Sequence, residues 1–95
     1  MEVMFLVSRV ESSSLLRAFL RACVRGQVDY CCFLTGPAAA LALDPDIGAL
    51  LKTATRSAVC EHSWERFGSG ECLVPLGSQT ENSALTATTH HIVSL

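Results

Sequence analysis

Cys60 closes the short run Ser57-Ala58-Val59-Cys60 and stands directly before the polar stretch Glu61-His62-Ser63-Trp64-Glu65-Arg66-Phe67-Gly68. A thiol at the carboxyl end of a strand, beside the start of a helix, feels the positive end of the helix dipole and can be held as a thiolate near neutral pH. That combination points to a sulfur nucleophile. His62 and Arg66 follow closely, and either cation would favour the thiolate if the local turn carried it round to the sulfur. The plainer readings are a buried structural thiol for Cys60, since free cysteine is among the most buried residue types, and exposed helix positions for His62 and Arg66.

Cys23, Cys31, Cys32 and Cys72 bring the cysteine count to five. An odd number of thiols in a chain whose start lacks export features favours reduced cysteines and a cytoplasmic location over a disulfide framework. Cys31 and Cys32 lie mid-strand beside Phe33, point to opposite faces and read as core fillers. Cys72 reads either as a strand starter or as a second thiol. Cys60, His62 and Cys72 with the pair His90-His91 do not have the spacing of a compact zinc knuckle, so no metal site is assigned. The turns at Gly36 and Gly77 carry neither a Walker loop nor a dinucleotide fingerprint, no nucleophile elbow is present, and no cofactor is expected.

Positioning Cys60 at a strand end requires the rest of a sheet. Residues 3–7 form a continuous apolar run, which suits a strand buried on both faces of a parallel sheet. Ser12 to Ser14 offer N-caps, and Leu15, Leu16, Phe19, Leu20 and Cys23 recur at helical spacing. Arg17, Arg21 and Arg25 form an opposite stripe, read as a solvated face, before Gly26 stops the helix. Residues 28–35 read as the second strand, followed by the Gly36-Pro37 turn and an alanine-rich segment packed closely on it. Asp44 caps a helix expected to run to about residue 55, and residues 57–60 read as the third strand. Residues 72–76 are expected as a short fourth strand with irregular pairing at Pro75, and Ser78 with Glu81 has the spacing of a capping box opening a helix to about residue 88. Residues 91–95 complete a fifth strand.

This strict alternation predicts one α/β domain over residues 1–95: a small flavodoxin-like three-layer fold with a five-stranded, mostly parallel sheet. Sites in such sheets lie outside the carboxyl ends of the strands, so Thr35-Gly36, Cys60 and Gly77-Ser78 are expected to border one crevice.

Only 17% of the residues are charged, below the roughly 25% of an ordinary soluble domain, which leaves more apolar surface than one small chain hides and predicts an oligomer. The net charge of -2 with seven scattered Lys and Arg residues provides no basic surface for nucleic acid. The start, MEVMFLVSRV, lacks the basic region and apolar length of a signal peptide, and no segment approaches the roughly 20 apolar residues of a membrane span.

The order of elements, the cysteine closing the third strand, the segment FLTGPAAALAL, and the ending in which Gly77-Ser78-Gln79 leads through a helix to THHIVSL together resemble the DsrE/DsrF family of sulfur-relay proteins, including its TusD-like subunits. The resemblance covers nearly the whole chain. Two features depart from it: the stretch between the third and fourth strands is short, and EHSWERF replaces the small-residue, arginine-ending helix that commonly follows the family's cysteine. The resemblance implies a persulfide on Cys60, taken as sulfane sulfur from a donor protein and passed to a thiol of an acceptor protein, within a trimeric or hexameric assembly. Two rival readings are a non-catalytic structural or interaction subunit of such a complex and a flavodoxin-like module binding a small molecule in the same crevice.

Overall fold

A computed structural model describes residues 1–95. Five strands, β1 (Val3–Val7), β2 (Tyr30–Leu34), β3 (Arg56–Cys60), β4 (Leu76–Gly77) and β5 (His91–Ser94), form one sheet in the order β4-β3-β2-β1-β5. Every neighbouring pair is parallel. The sheet is thus wholly parallel, and the fold is the three-layer α/β arrangement that the alternation of elements predicts.

The connections from β1 to β4 all step in one direction, so right-handed crossovers place α1 (Ser13–Gly26), α2 (Pro45–Lys52) and α3 (Glu61–Phe67) on one face. The return from β4 to β5 carries α4 (Gln79–Ala87) over the other face. The two layers differ in size. Beneath the three helices lies a core of 16 buried residues that includes Phe5, Leu16, Leu20, Cys32, Ile47 and Val59. Beneath α4 lies one of six: Met4, Cys31, Phe33, Ala58, Cys60 and Leu85. The adjacent thiols of β2 therefore enter opposite cores, as strand alternation requires.

Local chemistry sets the helix ends. Asp44 accepts hydrogen bonds from the N–H groups of Asp46 and Ile47, capping α2 as expected. That helix stops at Lys52 rather than near residue 55, because the hydroxyls of Tyr30 and Thr53 both donate to the carbonyl of Leu50 (2.6 and 2.8 Å). At the end of α1 the left-handed cap is Gln27, with φ of 55°, one residue beyond the expected Gly26. No serine side chain caps the start of α1; a 3-10 turn over Val10–Ser12 leads into it instead.

Two further expectations need correction. The arginine stripe of α1 is not simply solvated: Arg17 pairs with Asp44 at 2.7 Å, and Arg21 pairs with Asp46, so these two of its three arginines join α1 to α2. The fourth strand is only Leu76–Gly77, not residues 72–76. Cys72 donates its S–H to the carbonyl of Val74 at 3.1 Å, Val74 is buried in the larger core, and Pro75 has no N–H to offer a ladder. Pairing begins where the N–H of Val59 donates to the carbonyl of Pro75, at 2.8 Å.

Candidate functional site around Cys60

The parallel sheet brings the carboxyl ends of β2, β3 and β4 to one edge, with Cys60 in register with Gly77. Cys60 is both the last residue of β3 and the residue that caps α3. Its side chain turns into the smaller core and is only 5% exposed. The thiol is therefore not openly accessible: the lateral packing of Phe33, Ala58 and Leu85 that makes the layer under α4 also encloses the sulfur.

Polar groups nevertheless converge on it. Gln79, in the first turn of α4, donates from Nε2 to Cys60 Sγ at 3.6 Å. The hydroxyl of Ser63 and the N–H groups of Ser63 and His62 surround the sulfur more loosely, without closing a full cap hydrogen bond. Ser63 is itself buried, and its oxygen accepts from the N–H of Gly36 at 2.8 Å. That bond leaves the hydroxyl proton of Ser63 free to point at sulfur. Burial pushes the Cys60 thiol up, but the donor groups of Ser63, Gln79 and His62 together outweigh it and hold the thiol below its ordinary value.

The other thiols behave in the opposite way. Burial raises Cys23, Cys31 and, most strongly, the fully enclosed Cys32. Among the thiols with a resolved shift, Cys60 alone moves toward the thiolate.

The residues expected around the cysteine divide into those the fold assembles and those it does not. Gly36 reaches Cys60 through Ser63, Gly77 lies beside it in the sheet, and Ser78 caps α4 by accepting from the N–H of Glu81 at 3.4 Å. The capping box is half formed, because the carboxylate of Glu81 turns instead to Arg56 of β3. Gly77 is tightly placed: a Cβ there would stand 2.6 Å from Glu81 Oε2 and 3.1 Å from the Ala58 side chain. Thr35 precedes Gly36, and its N–H bonds to the carbonyl of Val7. His62 contributes through its backbone, not its imidazole. Arg66 stands over the ring of Phe67, 5.2 Å from its centre, and is not among the groups that act on Cys60.

Ser63, Gln79 and Asn82 are the site residues that the sequence did not single out. Ser63 had a usable signal, since a capping side chain meets the third residue of its helix and Cys60-x-x-Ser63 has that spacing. Gln79 and Asn82 had none, because only the crossover from β4 to β5 brings α4 over the end of β3.

A depression of about 450 Å³ lined by Leu51, Lys52, Arg56, Ser57, Leu73 and Glu81 lies at the other end of β3. No group of three or more His, Cys, Asp or Glu side chains is arranged to hold a metal ion. No helix is long and apolar enough to cross a membrane. Comparison of the chain with protein-family models, with curated proteins and with solved structures finds no match.

Proposed function

We propose that this protein is a sulfur carrier of the DsrE/DsrF type, in which Cys60 accepts sulfane sulfur as a persulfide and hands it to a thiol on a partner protein. The observation that carries the reading is the set of donors from Ser63, Gln79 and His62 directed at one sulfur, which favours the thiolate against the effect of burial. Sulfur transfer needs such a thiolate and little else. In the first step the Cys60 thiolate attacks the outer sulfur of a donor persulfide. A new S–S bond forms at Cys60, the donor's S–S bond breaks, and the donor leaves as its thiolate. In the second step an acceptor thiolate attacks the same outer sulfur, and Cys60 is regenerated as a thiolate. No net oxidation occurs in either step, and the chain needs no cofactor for it.

One observation favours the rival reading of a structural or interaction subunit: Cys60 is 5% exposed, while Leu73 is 70% and Leu15 51% exposed. The two readings separate on alkylation of the native protein at neutral pH. A sulfur carrier labels at Cys60 first and fastest by iodoacetamide. Equal or slower labelling of Cys60 than of Cys72, the less buried thiol, supports the structural role and removes the carrier.

A further inference from the structure

The hydrogen bonds at the sulfur do not end with Gln79. Asn82, one turn along α4, donates from Nδ2 to Gln79 Oε1 at 3.2 Å, and Gln79 donates from Nε2 to Cys60 Sγ at 3.6 Å. Both amides thus point their N–H groups toward the sulfur. At the far end, the buried Oδ1 of Asn82 has no hydrogen-bond partner. An unpaired buried acceptor is costly and calls for a physical reason.

That orphan oxygen means that no side chain beyond Gln79 fixes which way the Asn82 amide faces, and Gln79, itself exposed, makes its side-chain bonds within the chain to Asn82 and Cys60. A primary amide presents a donor on one side and an acceptor on the other. A thiolate accepts only, and therefore demands the nitrogen of Gln79, which turns its oxygen to Asn82. A thiol has a proton to donate as well as a weakly accepting sulfur, and therefore also admits the oxygen of Gln79, which turns its nitrogen to the oxygen of Asn82. We propose that Asn82 is a positioning residue for Cys60, acting through Gln79, and that the two amides form a relay whose direction reverses when the sulfur gains or loses its proton. The arrangement in the structure is the thiolate sense. The relay concerns the ionisation of Cys60 alone and stands or falls separately from sulfur transfer.

The ionisable groups on the elements around Cys60 are Glu61, His62, Glu65 and Arg66 on α3, Glu81 on α4, which is engaged by Arg56 of β3, and Tyr30, Cys31 and Cys32 on β2. None of their charges is among the causes that act on Cys60. The titration that the relay follows is therefore that of the cysteine.

The test is the pH profile of iodoacetamide labelling at Cys60 in Asn82→Asp, in Gln79→Ala and in the double variant. An ionised carboxylate at position 82 accepts only, so it holds the Gln79 nitrogen away from the sulfur. Labelling near pH 7 should slow by roughly three- to tenfold, the effect of one hydrogen bond, with the high-pH plateau kept. In the Gln79→Ala background the same substitution should change the profile no further, because the group that transmits it is gone. An equal slowing with and without Gln79 would show a plain effect of charge and overturn the relay, as would no slowing in Asn82→Asp. Should a variant fold poorly, the parent protein still decides: the side-chain amide resonances of Gln79 and Asn82 should both move with the midpoint at which Cys60 ionises, and resonances that stay fixed through that midpoint overturn the proposal.

Discussion

Ser63 occupies the centre of the site at the scale of single residues. It joins the turn after β2 to the sulfur at the end of β3, because it accepts from Gly36 and keeps its proton for Cys60. Ser63→Ala leaves the Gly36 N–H without its acceptor and removes a donor from the sulfur. Labelling of Cys60 at neutral pH is expected to slow by about three- to tenfold, with a small loss of stability, measured by iodoacetamide kinetics and urea unfolding. Arg66→Ala, by contrast, is expected to leave the labelling profile unchanged, since Arg66 rests on Phe67. The thiol was legible in the sequence because a cysteine between a strand-like run and a polar helix has few physical meanings. Its burial was open as the plainer alternative, but its partners were not legible, because what encloses Cys60 is Phe33 from one strand and Leu85 from the helix on the crossover from β4 to β5. The donor Gln79 was hidden for the same reason.

Among the elements, those with a strong local pattern were the ones the sequence revealed. The runs at β1 and β2 are continuous because both strands are central, and Asp44 marks the start of α2 with its own side chain. Asp44→Ala removes that cap and the partner of Arg17, so it is expected to cost about 1–2 kcal/mol in urea unfolding, with Cys60 reactivity retained. The pattern failed at β4. Leu73, Val74 and Leu76 look like a strand, yet Val74 fills the core without sheet pairing and Leu73 is largely exposed. The thin layer under α4 makes a second prediction at this scale. Phe33 is fully buried in a cluster of only six residues, and Phe33→Ala should destabilise the protein by about 3–5 kcal/mol. The same change should speed labelling of Cys60, because it opens the packing that encloses the sulfur.

For the whole molecule, the buried thiols set a direction of pH dependence. Cys23, Cys31 and Cys32, and the phenol of Tyr30, resist ionisation in the folded state because of burial. Above about pH 8.5, where free thiols ionise, the unfolded chain has lost protons that the folded chain keeps, so stability falls as pH rises. Cys60 contributes with the opposite sign: its lowered value adds stability that is fully present above the unfolded value and is lost as pH falls through the folded one. Three raised thiols outnumber one lowered thiol, and urea midpoints are expected to drop between pH 7.5 and pH 9.5. A flat or rising midpoint would contradict the predominance of the three raised thiols over Cys60. The exposed Val10, Leu15 and Phe19 on the connection from β1 to β2, and Leu73 and Leu76 around β4, support the proposal that the chain assembles, with a trimer or hexamer expected in light scattering under reducing conditions. A monomer at micromolar concentration contradicts it.

The five thiols of one molecule compete for sulfur under identical conditions, which makes their comparison the most direct test of the carrier role. The measurement is peptide mapping of the reduced native protein after exposure to polysulfide, with persulfides trapped by alkylation. A single added sulfur, about 32 Da by elementary mass, is predicted on the peptide containing Cys60, released by an acceptor thiol and absent from Cys60→Ser. Sulfur spread over Cys23, Cys31, Cys32 and Cys72, or retained in Cys60→Ser, would contradict the account.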